Sequence, residues 1–140
     1  MTKEELNFIR HVDDSVNTKI RQLEMLKSKR FLLSSFDYSK SKVQTSNQGN
    51  HSEDLINKIV DFEAEINRDI AILINLKMKA RVEIDQVGGI YGVILQMRYL
   101  ENRNWVEISR ALNYSPKHIF KLHGKALKII SKKRIPNDTK

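Results

Sequence analysis

The chain reads as an all-α protein: a long antiparallel helical hairpin, coiled-coil-like, followed by a helix-turn-helix domain. Three observations predict this. Glycine (5) and proline (2) are scarce in 140 residues, so little interrupts helix formation. Two long stretches carry apolar residues at steps of three and four, the period of one helical face. A third stretch, from Ile90 to Arg134, has the cap, break and cap punctuation of short consecutive helices.

The first helix is expected over residues 3 to about 33. Leu6, Ile9, Val12, Val16, Ile20, Leu23 and Leu26 form its apolar stripe. Thr2 and Glu5 have capping-box spacing. Glu4 and Glu5 near the start, with Lys27, Lys29 and Arg30 near the end, complement the helix dipole. Residues 34–51 are rich in Ser, Lys, Asn and Gln and predict a flexible connection, with Phe36, Tyr38 and Val43 able to pin its first part.

The second helix is expected over 52–87, capped by Ser52 with Glu53 and Asp54 in its first turn. Leu55, Ile59, Phe62, Ile66, Ile70, Leu73, Leu76, Ala80, Ile84 and Val87 recur about every 3.6 residues, between a straight helix and a heptad seam. Ile56, Val60, Ile72 and Ile74 widen that stripe beyond what one antiparallel partner covers. The surplus predicts a homo-oligomer, most simply a dimer, unless residues 90–134 fold back over it. Gly88-Gly89 ends or bends the helix and is the expected junction. The expected division is therefore a hairpin over 1–87, a helix-turn-helix domain over 88–135 and a loose tail over 136–140.

Within the last third, Ile90, Val93, Ile94, Met97 and Leu100 predict a supporting helix. Asn104 can cap the next one, with Glu107 closing a capping box. Trp105, Ile108, Ala111 and Leu112 share its apolar face. Asn113-Tyr114 makes the break. Ser115 caps the final helix, and Pro116 suits its first position because an N–H there would be unpaired. Ile119, Leu122, Ala126, Leu127 and Ile130 are its apolar face. Lys117, His118, Lys121, Lys125, Lys128 and Lys132 are the other.

The net charge of +8 is unevenly placed. Residues 1–50 hold 9 Lys/Arg against 6 Asp/Glu, and residues 51–87 hold 5 against 8. Residues 88–140 hold 11 against 3, so the excess sits in the helix-turn-helix third. A basic patch there is the footprint of a polyanion partner; a solvated lysine face is the plainer alternative.

Other classes are disfavoured. With no cysteine, disulfides and thiolate metal sites are excluded. The first residues lack the apolar core of a signal peptide, and no apolar run approaches a membrane span, which predicts a cytoplasmic protein without a membrane partner. His118 and His123 are five apart, not the four of a helical zinc pair. Asp13-Asp14 and Glu63/Glu65 are too close in sequence to share a helix face, and solvent faces are expected for them. No enzyme, cofactor or metal site is expected.

Met97-Arg98-Tyr99-Leu100, Trp105-Val106-Glu107-Ile108, Ala111-Leu112-Asn113-Tyr114-Ser115 and Leu122-His123-Gly124-Lys125-Ala126-Leu127 resemble region four of bacterial sigma factors. They are still more similar to the small sigma-like regulators of Gram-positive phages, of the ArpU and RinA type, and to a related uncharacterised phage family. The resemblance covers roughly 45 residues. It implies a three-helix domain, duplex DNA as partner, contact with host RNA polymerase, and regulation of phage genes. Pro116 and Phe120 stand where sigma factors carry charged or polar readers, so the sigma promoter hexamer does not carry over.

The expected function is a sequence-specific DNA-binding transcriptional regulator of a phage or prophage. Lys117, His118 and Lys121 would face base edges, and Arg110, Lys125 and Lys128 phosphates. Arg103 is a further candidate clamp. Trp105 is expected in the core. Phe120 either meets a thymine methyl or packs on the preceding helix. Gly124 either admits another helix or a phosphate backbone. His123 matches a histidine of the family or is a partly buried, satisfied side chain. Two alternatives come from other classes: a small terminase subunit binding packaging DNA, and a module that binds RNA polymerase through a sigma-like fold.

Overall fold

A computed structural model describes the backbone of residues 1–39 and 46–132, and their side chains except at 34, 36–39 and 46–52. The described residues are all helix and short connections. Helix α1 spans Lys3–Ser39 and α2 Ser46–Val87; α3 spans Gly89–Leu95 and runs into a π turn over Gln96–Leu100; α4 spans Trp105–Leu112 and α5 Pro116–Lys132. None is long and apolar enough to cross a membrane.

Helices α1 and α2 pack as a long hairpin. The residues form two compact units, Asp14–Ala71 and Met1–Asp13 with the chain from Ile72 onward. In the first, Lys19 pairs with Asp69 at 2.6 Å and Glu65 at 2.8 Å, and Lys27 with Glu63 at 3.1 Å. In the second, Lys77 pairs with Asp13 at 2.7 Å. As one index rises its partner's falls, which is antiparallel register. All seven stripe positions of α1 and all ten of α2 are buried or half-buried. Burial of a full apolar side chain contributes roughly 1.5–3 kcal/mol, so this seam, not helix propensity, holds the pair.

Three expectations are corrected here. The flexible connection is shorter than 34–51, because 34–39 belong to α1 and 46–51 to α2; residues 40–45 lie outside the described residues. These segments hold no proline; their polar residues weaken a helix slightly and Gly49 by about 1 kcal/mol, and a helix already nucleated propagates through them. Ser52 accordingly lies inside α2 rather than at its cap. Asp13 is buried, not solvent-facing, because Lys77 reaches it from α2 and supplies the charge that burial requires. The loose tail lies outside the described residues.

The widened stripe of α2 divides. Ile56 is half-buried, whereas Val60, Ile72 and Ile74 are exposed. Ile74, Met78 and Val82, four residues apart on one face, are all more than half exposed.

Gly88 and Gly89 have φ of 68° and 59°, which L side chains adopt only at a cost. They stand where α2 ends and α3 begins. α3 is buried on two faces. Ile90, Ile94 and Met97 turn toward a cluster with Ile108, Ile119, Trp105, Leu112 and Leu122. Gly92, Leu95 and Tyr99 are buried on the opposite side, where a Cβ on Gly92 would stand 3.4 Å from the Ile84 carbonyl oxygen. Val93, expected inside, lies on the flank between these faces and is exposed.

Candidate nucleic-acid interface

Local hydrogen bonds build the helix-turn-helix as its residue types dictate. The Glu107 amide donates to Asn104 Oδ1 at 2.8 Å and the Asn104 amide to Glu107 Oε1 at 3.4 Å, a complete capping box. Helix α4 ends at Asn113 in the left-handed region (φ 63°, ψ 36°), which asparagine tolerates better than most residues. The Tyr114 amide then donates to the Ser109 carbonyl at 3.2 Å, and the Ser109 hydroxyl to the Tyr114 carbonyl. Ser115 Oγ accepts from the His118 amide at 3.2 Å, with Pro116 opening α5. Ile94, Ile108 and Ile119, all fully buried, lock the three helices together. Ala111 falls at the edge of the α4 apolar face and is exposed.

Helix α5 presents one chemical face. At about 100° per residue, Lys117, Lys121, Lys125, Lys128 and Lys132 fall within an arc of about 80°. The buried Ile119, Ala126 and Ile130 lie roughly opposite. No acidic residue occurs in α5. Lys117, His118, Lys121, Lys125 and Lys128 are exposed, as is Arg110 in the last turn of α4. The structure thus places all six sequence-expected site residues on the surface. His118 stands at the edge of the lysine arc, its ring against Tyr114 at 4.8 Å between centroids. Arg103 is engaged by Glu101 at 2.8 Å, which weakens its claim as a clamp.

Behind this face lies an aromatic layer that no periodicity announces. The Glu101 amide bonds to the Gln96 carbonyl at 3.0 Å, an i→i+5 bond that closes the π turn. That turn holds Tyr99 against His123, with Tyr99 Oη and His123 Nε2 2.7 Å apart. Burial raises the Tyr99 pKa, so the phenol keeps its proton, and the two groups share one hydrogen bond whose direction follows the imidazole tautomer. Burial, then the positive charges of Arg98 and Lys3, lower the His123 pKa to about 4. Trp105 stacks edge-on against His123 and Phe120, with centroids at 4.7 and 5.2 Å. The Arg98 guanidinium carbon lies 4.1 Å from the Trp105 ring centroid and its Nη1 donates to the Arg103 carbonyl. Trp105 and His123 are therefore packing residues. Phe120 packs on Trp105 by one edge and keeps half its surface exposed. Among the described residues, a Cβ on Gly124 would meet nothing within 4 Å, so no other described helix approaches it there.

The arrangement offers positive charge on an exposed helix face to a ligand. A family model described as a protein of unknown function, DUF1492, matches residues 32–131, more than half of the sequence. The chain belongs to the DUF1492 family. The match runs from late α1 through α2 and the helix-turn-helix to the end of α5, so the basic face lies inside the family region. None of the curated proteins or solved structures compared matches this DUF1492 chain.

Proposed function

We propose that this DUF1492 protein is a sequence-specific, duplex-DNA-binding transcriptional regulator of phage or prophage genes, acting as a homodimer. The observation that carries the reading is the acid-free lysine face of α5, set opposite its buried face in a capped helix-turn-helix. A helix of this kind fits a major groove, with base edges at its first turns and phosphates around it. Lys117, His118 and Lys121 stand at the first turns. Lys125, Lys128 and Arg110 stand where phosphates would pass. The sigma-region-four resemblance of the same residues supports a role at promoters, with RNA polymerase as a second partner. A homodimer would present two such helices to two half-sites.

Anisotropy titration of the full chain against selected duplexes tests the reading. With about six phosphates neutralised, log K should fall with log salt at a slope of about −5. Lys121→Ala should alter sequence preference, whereas Lys128→Ala, two turns on, should weaken all sequences alike. Absence of duplex binding at low salt would reject the proposal. Genome-wide binding in the host separates the classes: occupancy at promoters fits a regulator, and occupancy at a packaging site fits a terminase subunit.

A further inference from the structure

Phe120 is an apolar side chain on a basic face. It lies about 60° round the helix from Lys117 and one turn before Gly124. Half of it is exposed. Its other edge meets Trp105 at 5.2 Å between centroids with the planes 79° apart. Trp105 is itself held between the Arg98 guanidinium and the His123 ring. The phenyl ring is therefore fixed by a braced platform, and its free surface adjoins the lysines. One turn on, a Cβ at Gly124 would meet none of the described residues within 4 Å.

We infer that Phe120 is a specificity-determining residue that reads the 5-methyl group of a thymine in the major groove. The inference rests on the duplex-DNA reading above. Major-groove edges of guanine, adenine and cytosine are read through donors and acceptors; thymine alone adds an apolar methyl. A ring without donor or acceptor, held next to Lys117 and Lys121, is complementary to that methyl and to no other major-groove feature. The lysines suit guanine O6 and N7, so the preferred site should place a thymine beside guanine. Holding the ring before binding also spares the ordering cost of a free side chain.

Deoxyuridine, which keeps the pairing edge and O4 but lacks the methyl, supplies the test. Take the tightest duplex selected by the full-length protein from a random library, and replace each thymine singly with deoxyuridine. One thymine per half-site should weaken wild-type binding about fourfold, the effect of roughly one buried methyl-sized group. Phe120→Ala should bind thymine and uracil duplexes equally at that position, and Phe120→Leu should restore part of the discrimination. The uracil scan uses the wild-type protein, so it stands even if a variant folds poorly. Sequence-specific binding that no uracil replacement changes would overturn the inference and leave the DNA reading intact. An uracil penalty that persists unchanged in a folded Phe120→Ala would move the contact to another residue and overturn it too. No binding to any duplex would reject both.

Discussion

His123 makes the protein acid-sensitive in a way that one substitution can isolate. Its imidazole is half-buried against Trp105 and Tyr99, with Nε2 2.7 Å from the Tyr99 hydroxyl. Burial, with Arg98 and Lys3 adding to it, lowers its pKa from 6.5 to about 4. The unfolded chain then takes up the proton first as pH falls. Stability is complete above about 6.5, declines as pH falls toward about 4, and is level below that for this group. At about 1.4 kcal/mol per pH unit the interval corresponds to at most roughly 3 kcal/mol. Because the ring retains some contact with solvent, screening reduces the expected loss to about 1–2 kcal/mol. Urea unfolding followed by circular dichroism at several values from pH 7 to 4 measures it. Carboxylates titrate in the same interval, so the comparison is with His123→Gln, which cannot titrate and can still hydrogen-bond Tyr99 in either direction. Wild type should lose about 1–2 kcal/mol more than the variant across this range. Parallel stability curves, or an imidazole titrating at 6.5 by NMR, would refute the account of the buried pair.

Gly124→Ala should stabilise the fold by about 0.5–1 kcal/mol, since the helix gains propensity and the new methyl meets nothing; a lower melting temperature would reveal a packed site. Gly88→Ala should do the opposite although its Cβ also has room, because φ 68° with ψ 176° is essentially glycine-only backbone and costs about 1–3 kcal/mol. Asn104→Ala removes a capping box and should cost about 1 kcal/mol in the same unfolding assay, with Asn104→Asp close to neutral. Sedimentation equilibrium should find the full chain dimeric at micromolar concentration. Replacing the exposed Ile74, Met78 and Val82 by glutamine should yield a monomer; a wild-type monomer would remove the dimer.

Whatever can be read along the chain is decided between neighbouring residues. Every inward position of the two long stripes was legible, because residues three and four apart share a helix face whatever lies opposite. The Asn104–Glu107 box, the Asn113 break and the Ser115-Pro116 start were legible too, since each is a hydrogen bond or a φ preference spanning at most five residues. The lysine arc of α5 follows from the same 100° step. Composition misled only where polarity was taken for a break: serines and asparagines weaken a helix without ending it, so α1 and α2 run further than expected. Tertiary structure alone decided which surfaces meet. Asp13 is buried because Lys77, sixty-four positions away, arrives beside it. Tyr99 reaches His123 because a five-residue turn shifts the phase of its helix, and no 3.6-residue count contains that shift. Phe120 is at once braced and exposed because Trp105 covers one edge and leaves half the side chain open to solvent. Local hydrogen bonding and periodicity act over one turn and can be read along the chain. Burial, cation–π stacking and pKa depend on atoms brought together from distant positions, and exist only once the helices have packed.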